Sequence, residues 1–214
     1  MKRFWMAAIA AVALSQAHAE GTIGGKVGTL GLGLEGSYQF TEKWAVRGGF
    51  NQYDYDFEDD LDGVDFDGDL ELSSITLFAD YRPTGGGFRI TGGAVFNENA
   101  IVAVADPTAT YEIDDTVYTI EETGVLSADT EFDSVAPYLG LGYDWDVGER
   151  FLINFDLGVL FQGEATVQFS SVGGTLSTDP TFLADLEAEE RIAEDDLEDY
   201  DLYPVLSIGL SYSF

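Results

Sequence analysis

The chain has 214 residues, no cysteine and a single histidine, and its 40 acids against nine bases give a formal net charge of −31. Such a surface repels nucleic acid, and the lack of cysteine excludes both a disulfide framework and a lipoprotein anchor. Mean hydropathy is zero, yet the apolar residues gather in short segments of period two, the mark of strands with one apolar face.

Lys2 and Arg3, the apolar run Phe4 to Leu14 and the small-residue site Ala17-His18-Ala19 read as a secretory signal peptide over residues 1–19. The mature chain is expected to start at Glu20 and to form one domain over 20–214. Two bases and no acid leave with the leader, so the charge of −31 becomes about −33. No apolar stretch approaches the roughly 20 residues of a spanning helix. An exported chain of this kind is either a soluble periplasmic domain or a β-barrel.

Ile23, Gly25 and Val27 alternate with Thr22, Gly24 and Lys26 before a turn at Gly28-Thr29. Leu30, Leu32, Leu34, Gly36, Tyr38 and Phe40 then share an outward face, with Glu35 behind it, and Trp44, Val46, Gly48 and Phe50 repeat the pattern around Arg47. Ile75, Leu77, Ala79 and Tyr81 face away from Phe78 and Asp80; Phe88, Ile90, Gly92, Ala94 and Phe96 face away from Arg89 and Val95. Leu139, Leu141, Tyr143 and Trp145 alternate with Tyr138 and Asp144, and Phe151 to Phe161 alternates around Asp156 and Leu160. The last segment sets Leu206, Ile208, Leu210, Tyr212 and Phe214 against Ser207, Gly209, Ser211 and Ser213.

A soluble sandwich also alternates, but three features favour a barrel in a membrane. Connections are brief at Thr41 to Lys43, Pro83 to Gly87 and Asp146 to Arg150, and long and acidic after Phe57, Asn99 and Gly163, the alternation of periplasmic turns and extracellular loops. Phe40, Trp44, Tyr81, Phe88, Trp145, Phe151, Tyr212 and Phe214 crowd the short-turn end as an aromatic girdle. Lys43, Arg82 and Arg150 stand one at each short turn, whereas nearly all the acid lies in the long loops. An even strand count then requires the short Glu20 to Val27 segment as the first strand. The expected fold is an all-β, eight-stranded, antiparallel up-and-down transmembrane barrel with long acidic extracellular loops.

The phrases "KVGTLGLGLEGSYQF", "VDFDGDLELSSITLFADYRP", "FRITGGAVFNEN", "APYLGLGYD", "DLGVLFQGEATVQF" and "YPVLSIGLSYSF" resemble the small outer-membrane barrels of the CarO-like family, and more distantly the OmpA- and OmpW-type barrels. The resemblance implies a monomeric eight-stranded barrel in the cell outer membrane. It also implies an association with entry of small solutes, including basic amino acids and carbapenem-type drugs. It carries over no catalytic or ligand residue position by position.

The only histidine, His18, leaves with the leader, so serine–histidine or aspartate–histidine hydrolysis has no base and no enzyme is expected. By alternation Lys26, Glu35, Arg47, Asp80, Arg89, Asp144 and Asp156 point into the lumen, where ions must pair or be hydrated. They form either a salt-bridged plug, since eight strands enclose little beyond their own side chains, or a gate beside a path left by the inward glycines.

Within "DYDFEDDLDGVDFDGDLE", Asp54 to Glu71, the residues Glu58, Asp60, Asp62 and Gly63 open like a calcium loop. Asp65 stands where a hydrophobic residue is needed and the closing glutamate is missing, so no specific metal site and no cofactor are expected. Val64, Phe66, Leu70 and Leu72 instead alternate with Asp65, Asp67, Asp69 and Glu71, as in a strand climbing above the membrane. "TYEIDDTVYTI" reads as a hairpin turning at Asp114-Asp115. Asp179-Pro180 caps a short helix in the last loop, with Phe182, Leu183, Leu186, Ala193 and Leu197 on one stripe. Eleven acids and only Arg191 lie between Asp179 and Asp201. Asp60, Asp62, Asp65, Asp67, Asp69, Glu190, Asp195 and Asp196 are read as a collar that concentrates small cationic solutes, against the alternative of a solvated face. The other expected partners are outer-membrane lipids, lipopolysaccharide and the barrel-assembly machinery that reads a terminal aromatic.

Overall fold

The computed structural model describes residues 20–61, 64–105, 110–114 and 116–214; the expected signal peptide over 1–19 and Asp62 lie outside the described residues. Eight strands close the barrel: β1 (Glu20–Gly28), β2 (Gly31–Gln39), β3 (Trp44–Leu61), β4 (Val64–Tyr81), β5 (Phe88–Asn97), β10 (Val135–Val147), β11 (Phe151–Phe161) and β13 (Leu202–Ser213). Between them come β6 (Ala100–Ala105), β7 (Tyr111–Ile113), β8 (Thr116–Tyr118), helix α1 (Ile120–Thr123), β9 (Gly124–Glu131), β12 (Thr166–Gly173) and helix α2 (Pro180–Asp196). All barrel pairings are antiparallel, and β1 closes on β13 from Thr22↔Ser213 to Gly28↔Ser207. The short first strand that parity demands is therefore present.

The period-two pattern decides which way each side chain points. Leu32 and Leu157 are each 61% exposed on the outside, and Ile23, Leu77, Leu139 and Leu206 stand out like them. One expectation fails: Leu30 faces the lumen and is buried, because it ends the β1–β2 turn and Gly31 follows at φ +97°. That left-handed backbone, open to glycine, resets the alternation so that Leu32 resumes the outer face.

Strands β3 and β4 run 18 residues each, well beyond the roughly 9–11 that cross a bilayer. Above the rim the wall continues on one side only. β5 pairs β4 up to Ser74↔Asn97, and after a two-residue break β6 resumes the same register at Glu71↔Ala100. β9 continues β10 in the same way, pairing β6 as β10 pairs β5. β12 adds the next strand, giving an open sheet β3-β4-β6-β9-β12 that rises from half the barrel. The three connections that look like loops in sequence thus supply the sheet of an outer domain.

The expected hairpin and helix sit on this sheet. β7 and β8 pair around Asp114, and the Asp179 carboxylate accepts from the Thr181 and Phe182 N–H groups at the start of α2. Phe182 and Leu186 of α2 pack with Tyr111, Ile113, Tyr118, Leu126 and Ala105 in a second apolar core. The spacing puts Leu183 on this stripe, but it is exposed, so the buried stripe is narrower than the sequence suggests.

Candidate functional site

The lumen is filled in layers. At the short-turn end lies a cavity of about 260 Å³, lined by Glu35, Arg82, Arg150, Asn154 and Ser211 among others. Above it the sequence-predicted charges meet in one network. The Arg47 guanidinium donates to Asp80 at 3.0 and 3.2 Å, to Glu35 at 3.1 Å and to Asp156 at 3.0 and 3.1 Å. Arg89 donates to Asp144 and, at 2.7 Å, to Asp156, while Lys26 holds Glu35 at 2.7 Å. Thr91 and Asn154 complete the shell by donating to Asp80 and Asp144 at 2.6 and 2.9 Å.

Arg82 stands at its short turn, as the sequence places it. It is not only a rim charge: its guanidinium turns in and donates to Asp144 at 2.7 Å. Lys26, Arg47, Arg82 and Arg89 then balance Glu35, Asp80, Asp144 and Asp156 one for one. A neutral, mutually bonded set is the arrangement that makes buried ions tolerable. Position beside a turn hid this residue: it keeps the inward phase of Phe78 and Asp80 but lies one place past the end of β4.

Toward the outer rim Leu30, Phe78, Val95, Ala136, Tyr138, Leu160 and Val205 form an apolar layer, with the Phe78 and Tyr138 rings 4.6 Å apart. Between Leu30, Phe78, Tyr138 and Arg47 only about 10 Å³ stays free, about one water-sized sphere. Three of the inward glycines have their space taken by neighbouring side chains. A Cβ on Gly140 or Gly158 would stand 2.3 or 2.4 Å from the Tyr138 hydroxyl, and one on Gly142 would stand 2.5 Å from Arg89 Cζ. These glycines are the seats of the side chains that fill the lumen.

Outside, the polarity of the wall inverts at the rim. Below it the outward face is apolar and the lumen polar; above it Leu126, Phe169 and Ala105 turn inward to the second core, and Asp54, Asp56, Asp67, Asp69, Glu71 and Asp129 belong to the outward face. The register sets Asp54 opposite Glu71 and Asp56 opposite Asp69, and the Asp56 side chain, hydrogen-bonded to Asp69, raises the Asp69 pKa. Asp60 and Asp65 are Cα partners near the hairpin tip; their side chains are outside the described ones.

Glu190 does more than carry charge. Its Oε1 accepts from the Phe169 N–H at 2.8 Å, and Glu194 Oε1 accepts from the Val167 N–H at 3.1 Å. Residues two apart send their N–H groups off the same edge of a strand, so two glutamates one helical turn apart cap the free edge of β12. Asp195 and Asp196 are exposed at the end of α2. Tyr118 donates to Asp185, and that bond to the carboxylate, with burial, pushes the phenol up to about 12. Thr119 donates its N–H and Oγ1 to Glu122 at 2.9 and 3.0 Å, which lowers the Glu122 pKa.

The expected girdle residues lie around the short-turn end. Phe40, Trp44, Phe88, Trp145, Phe151 and Phe214 are exposed, and the rings of Trp44 and Tyr81 and of Phe151 and Tyr212 meet at 4.8 and 5.6 Å. Among the described residues no group of three or more acids, cysteines or histidines is arranged to hold a metal ion.

No family model and no curated protein matches the chain. Solved structures do. CarO2 of Acinetobacter baumannii superposes with a TM-score of 0.60 at 23% identity, over 94% of this chain and 100% of that one. CarO of Acinetobacter baumannii gives 0.58 at 22% identity, over 91% and 97%. The structural likeness thus falls on the same barrels that the strand phrases resemble, and the chain has the CarO fold, a closed eight-stranded antiparallel barrel with a short helix near its C-terminus.

Proposed function

We propose that this chain is a small, monomeric outer-membrane barrel that binds cationic solutes at its acidic outer domain and does not conduct them through its lumen. The observation that carries this reading is the double closure of the lumen, an ionic layer joined across the barrel and an apolar layer above it. The exposed apolar belt suits lipid, and the ring of aromatics from Phe40 to Phe214 suits the interface on the short-turn side. Of the seven bases in residues 20–214 only Arg191 lies beyond the barrel strands and short turns, so the outer domain draws its counter-ions from outside. The acidic outer face would meet lipopolysaccharide through divalent ions.

A second reading is favoured by the cavity that reaches Arg47 and Arg89 from the short-turn side. In it Lys26, Glu35, Arg47, Asp80, Arg89, Asp144 and Asp156 are a gate, and the apolar layer moves to admit a small cation.

Planar-bilayer recording of the refolded protein separates the two. Binding without conduction predicts a silent bilayer and no arginine uptake into proteoliposomes; discrete, salt-dependent openings with uptake would establish the gate instead.

A further inference from the structure

The open outer sheet has two edges, and they are treated differently. The β12 edge is covered by α2, whose Glu190 and Glu194 take its outward N–H groups. The other edge is the upper half of β3. β2 reaches only as far as the Leu32↔Gln52 pairing, while β3 continues to Leu61 with β4 on its other side. Among the described residues no strand pairs with β3 beyond Gln52 on that side, and Gln52 to Asp56 are exposed throughout.

The direction of the free backbone groups follows from the ladder. The Gln52 carbonyl points at β2, 2.8 Å from where a Cβ on Gly31 would stand. Backbone groups alternate sides along a strand, so those of Asp54, Asp56 and Glu58 point off the open edge, and those of Tyr55 and Phe57 toward β4. Beside this edge Tyr53 and Tyr55 stack with ring centroids 6.4 Å apart and are about half exposed. No lysine or arginine occurs from residue 48 to 81, so Asp54, Asp56, Asp67, Asp69 and Glu71 have no basic neighbour on their own hairpin.

Charged edge strands resist pairing with copies of themselves, and this one is acidic on both of its strands. The same charge selects a strand of opposite sign. We propose that the open edge of β3 from Tyr53 to Glu58 is a docking site for an extended, lysine- or arginine-rich polypeptide, which adds to the outer sheet as a further antiparallel or parallel strand. Main-chain hydrogen bonds to Asp54, Asp56 and Glu58 give register, the Asp54 and Asp56 carboxylates give sign, and the Tyr53–Tyr55 platform receives cationic or apolar side chains. The inference rests on the reading of the outer domain as a cation-binding surface, but not on whether the lumen conducts.

The test uses the full mature protein in lipid nanodiscs and two labelled probes of equal length and charge, a lysine–valine repeat and a lysine–proline repeat. Proline lacks the N–H that a strand needs, so general charge attraction holds both probes and strand addition holds only the first. The lysine–valine probe is expected to bind about tenfold tighter or better, the margin of one or two main-chain hydrogen bonds, and to protect the Asp54, Asp56 and Glu58 amides from exchange. Asp56→Pro removes one edge donor while leaving the residues bonded to β4, and should reduce that margin; Asp56→Asn keeps the donor and should retain it. Should the proline variant fail to fold, amide protection in the unmodified protein still decides. Equal affinity for the two probes, or no protection on the β3 edge, would overturn the proposal and leave the acids as a general cation attractor. A silent or a conducting bilayer changes neither result.

Discussion

Arg47 and Asp156 stand on β3 and β11, four strands apart whichever way round the barrel is counted, yet contacts of 3.1 and 3.0 Å join their side chains across the lumen. The same guanidinium holds Glu35 and Asp80, so one side chain ties three walls together. Arg47→Met should therefore leave the buried carboxylates one positive charge short, with Lys26, Arg89 and Thr91 left to hold Glu35, Asp156 and Asp80, and cost on the order of 3–5 kcal/mol. Asp156→Asn keeps a polar partner and should cost less. Urea titration in micelles, followed by the gel shift between folded and unfolded barrel, gives both values; a loss under about 1 kcal/mol for Arg47→Met would mean water already solvates the network.

Tyr138 lies across Gly140 and Gly158, with its ring against Phe78. A Cβ on Gly158 would meet the Tyr138 hydroxyl at 2.4 Å and the Leu139 carbonyl at 2.7 Å, and the latter is backbone that cannot swing aside. Gly158→Ala is expected to cost about 1–3 kcal/mol, as overpacking does. Pairing it with Tyr138→Phe should recover only the part due to the hydroxyl. Full recovery in the double variant would show that the backbone clash is absorbed by the sheet.

The barrel was legible in sequence because a single wall exposed to two media writes its orientation in every second residue. Strand 20–28 was found by parity, although it holds little more than Ile23 and Val27 to mark it. Leu30 was misread because it sits beside a turn where alternation is reset, and the inward role of Arg82 was missed because it lies one place past the end of β4. The outer domain was less legible. Its β4, hairpin and helix each carry a local signal, but the sheet that joins them pairs residues such as Ala103 and Ala128, distant in sequence and without a distinctive pattern. The capping by Glu190 and Glu194 carries no local sign at all, since the glutamates read as two acids among eleven.

That capping predicts a local effect. Glu190→Ala with Glu194→Ala should expose the Val167 and Phe169 amides, and hydrogen exchange there should accelerate while the barrel amides stay protected. Hydrogen bonds to ionised groups contribute about 1.5–3 kcal/mol each, so exchange at these two sites should rise by tenfold or more. Glu190→Gln preserves an acceptor and should fall between. If β12 exchanges unchanged in the double alanine variant, the helix backbone rather than its acids covers the edge.

Tyr118 provides a pH signature confined to the outer domain. Its hydroxyl donates to Asp185, which joins α2 to the β7–β8 hairpin, and Phe182 packs edge-on against its ring at 5.0 Å. The bond requires the protonated phenol, whose pKa rises from 10.0 to about 12 when folded. A raised folded value means that its contribution is complete below the unfolded pKa of 10.0 and is lost as pH climbs through about 12. Loosening of α2 should therefore follow one tyrosine in ultraviolet titration between those limits, while the barrel remains closed. Tyr118→Phe should remove that step and weaken α2 docking already at neutral pH, by about 1.5–3 kcal/mol for a bond to a charged acceptor. Asp185→Asn should return Tyr118 toward ordinary titration without disturbing the Phe182 contact. If α2 instead loosens at the same alkaline pH in the phenylalanine variant, the general repulsion of the outer acids is the cause and this bond is incidental.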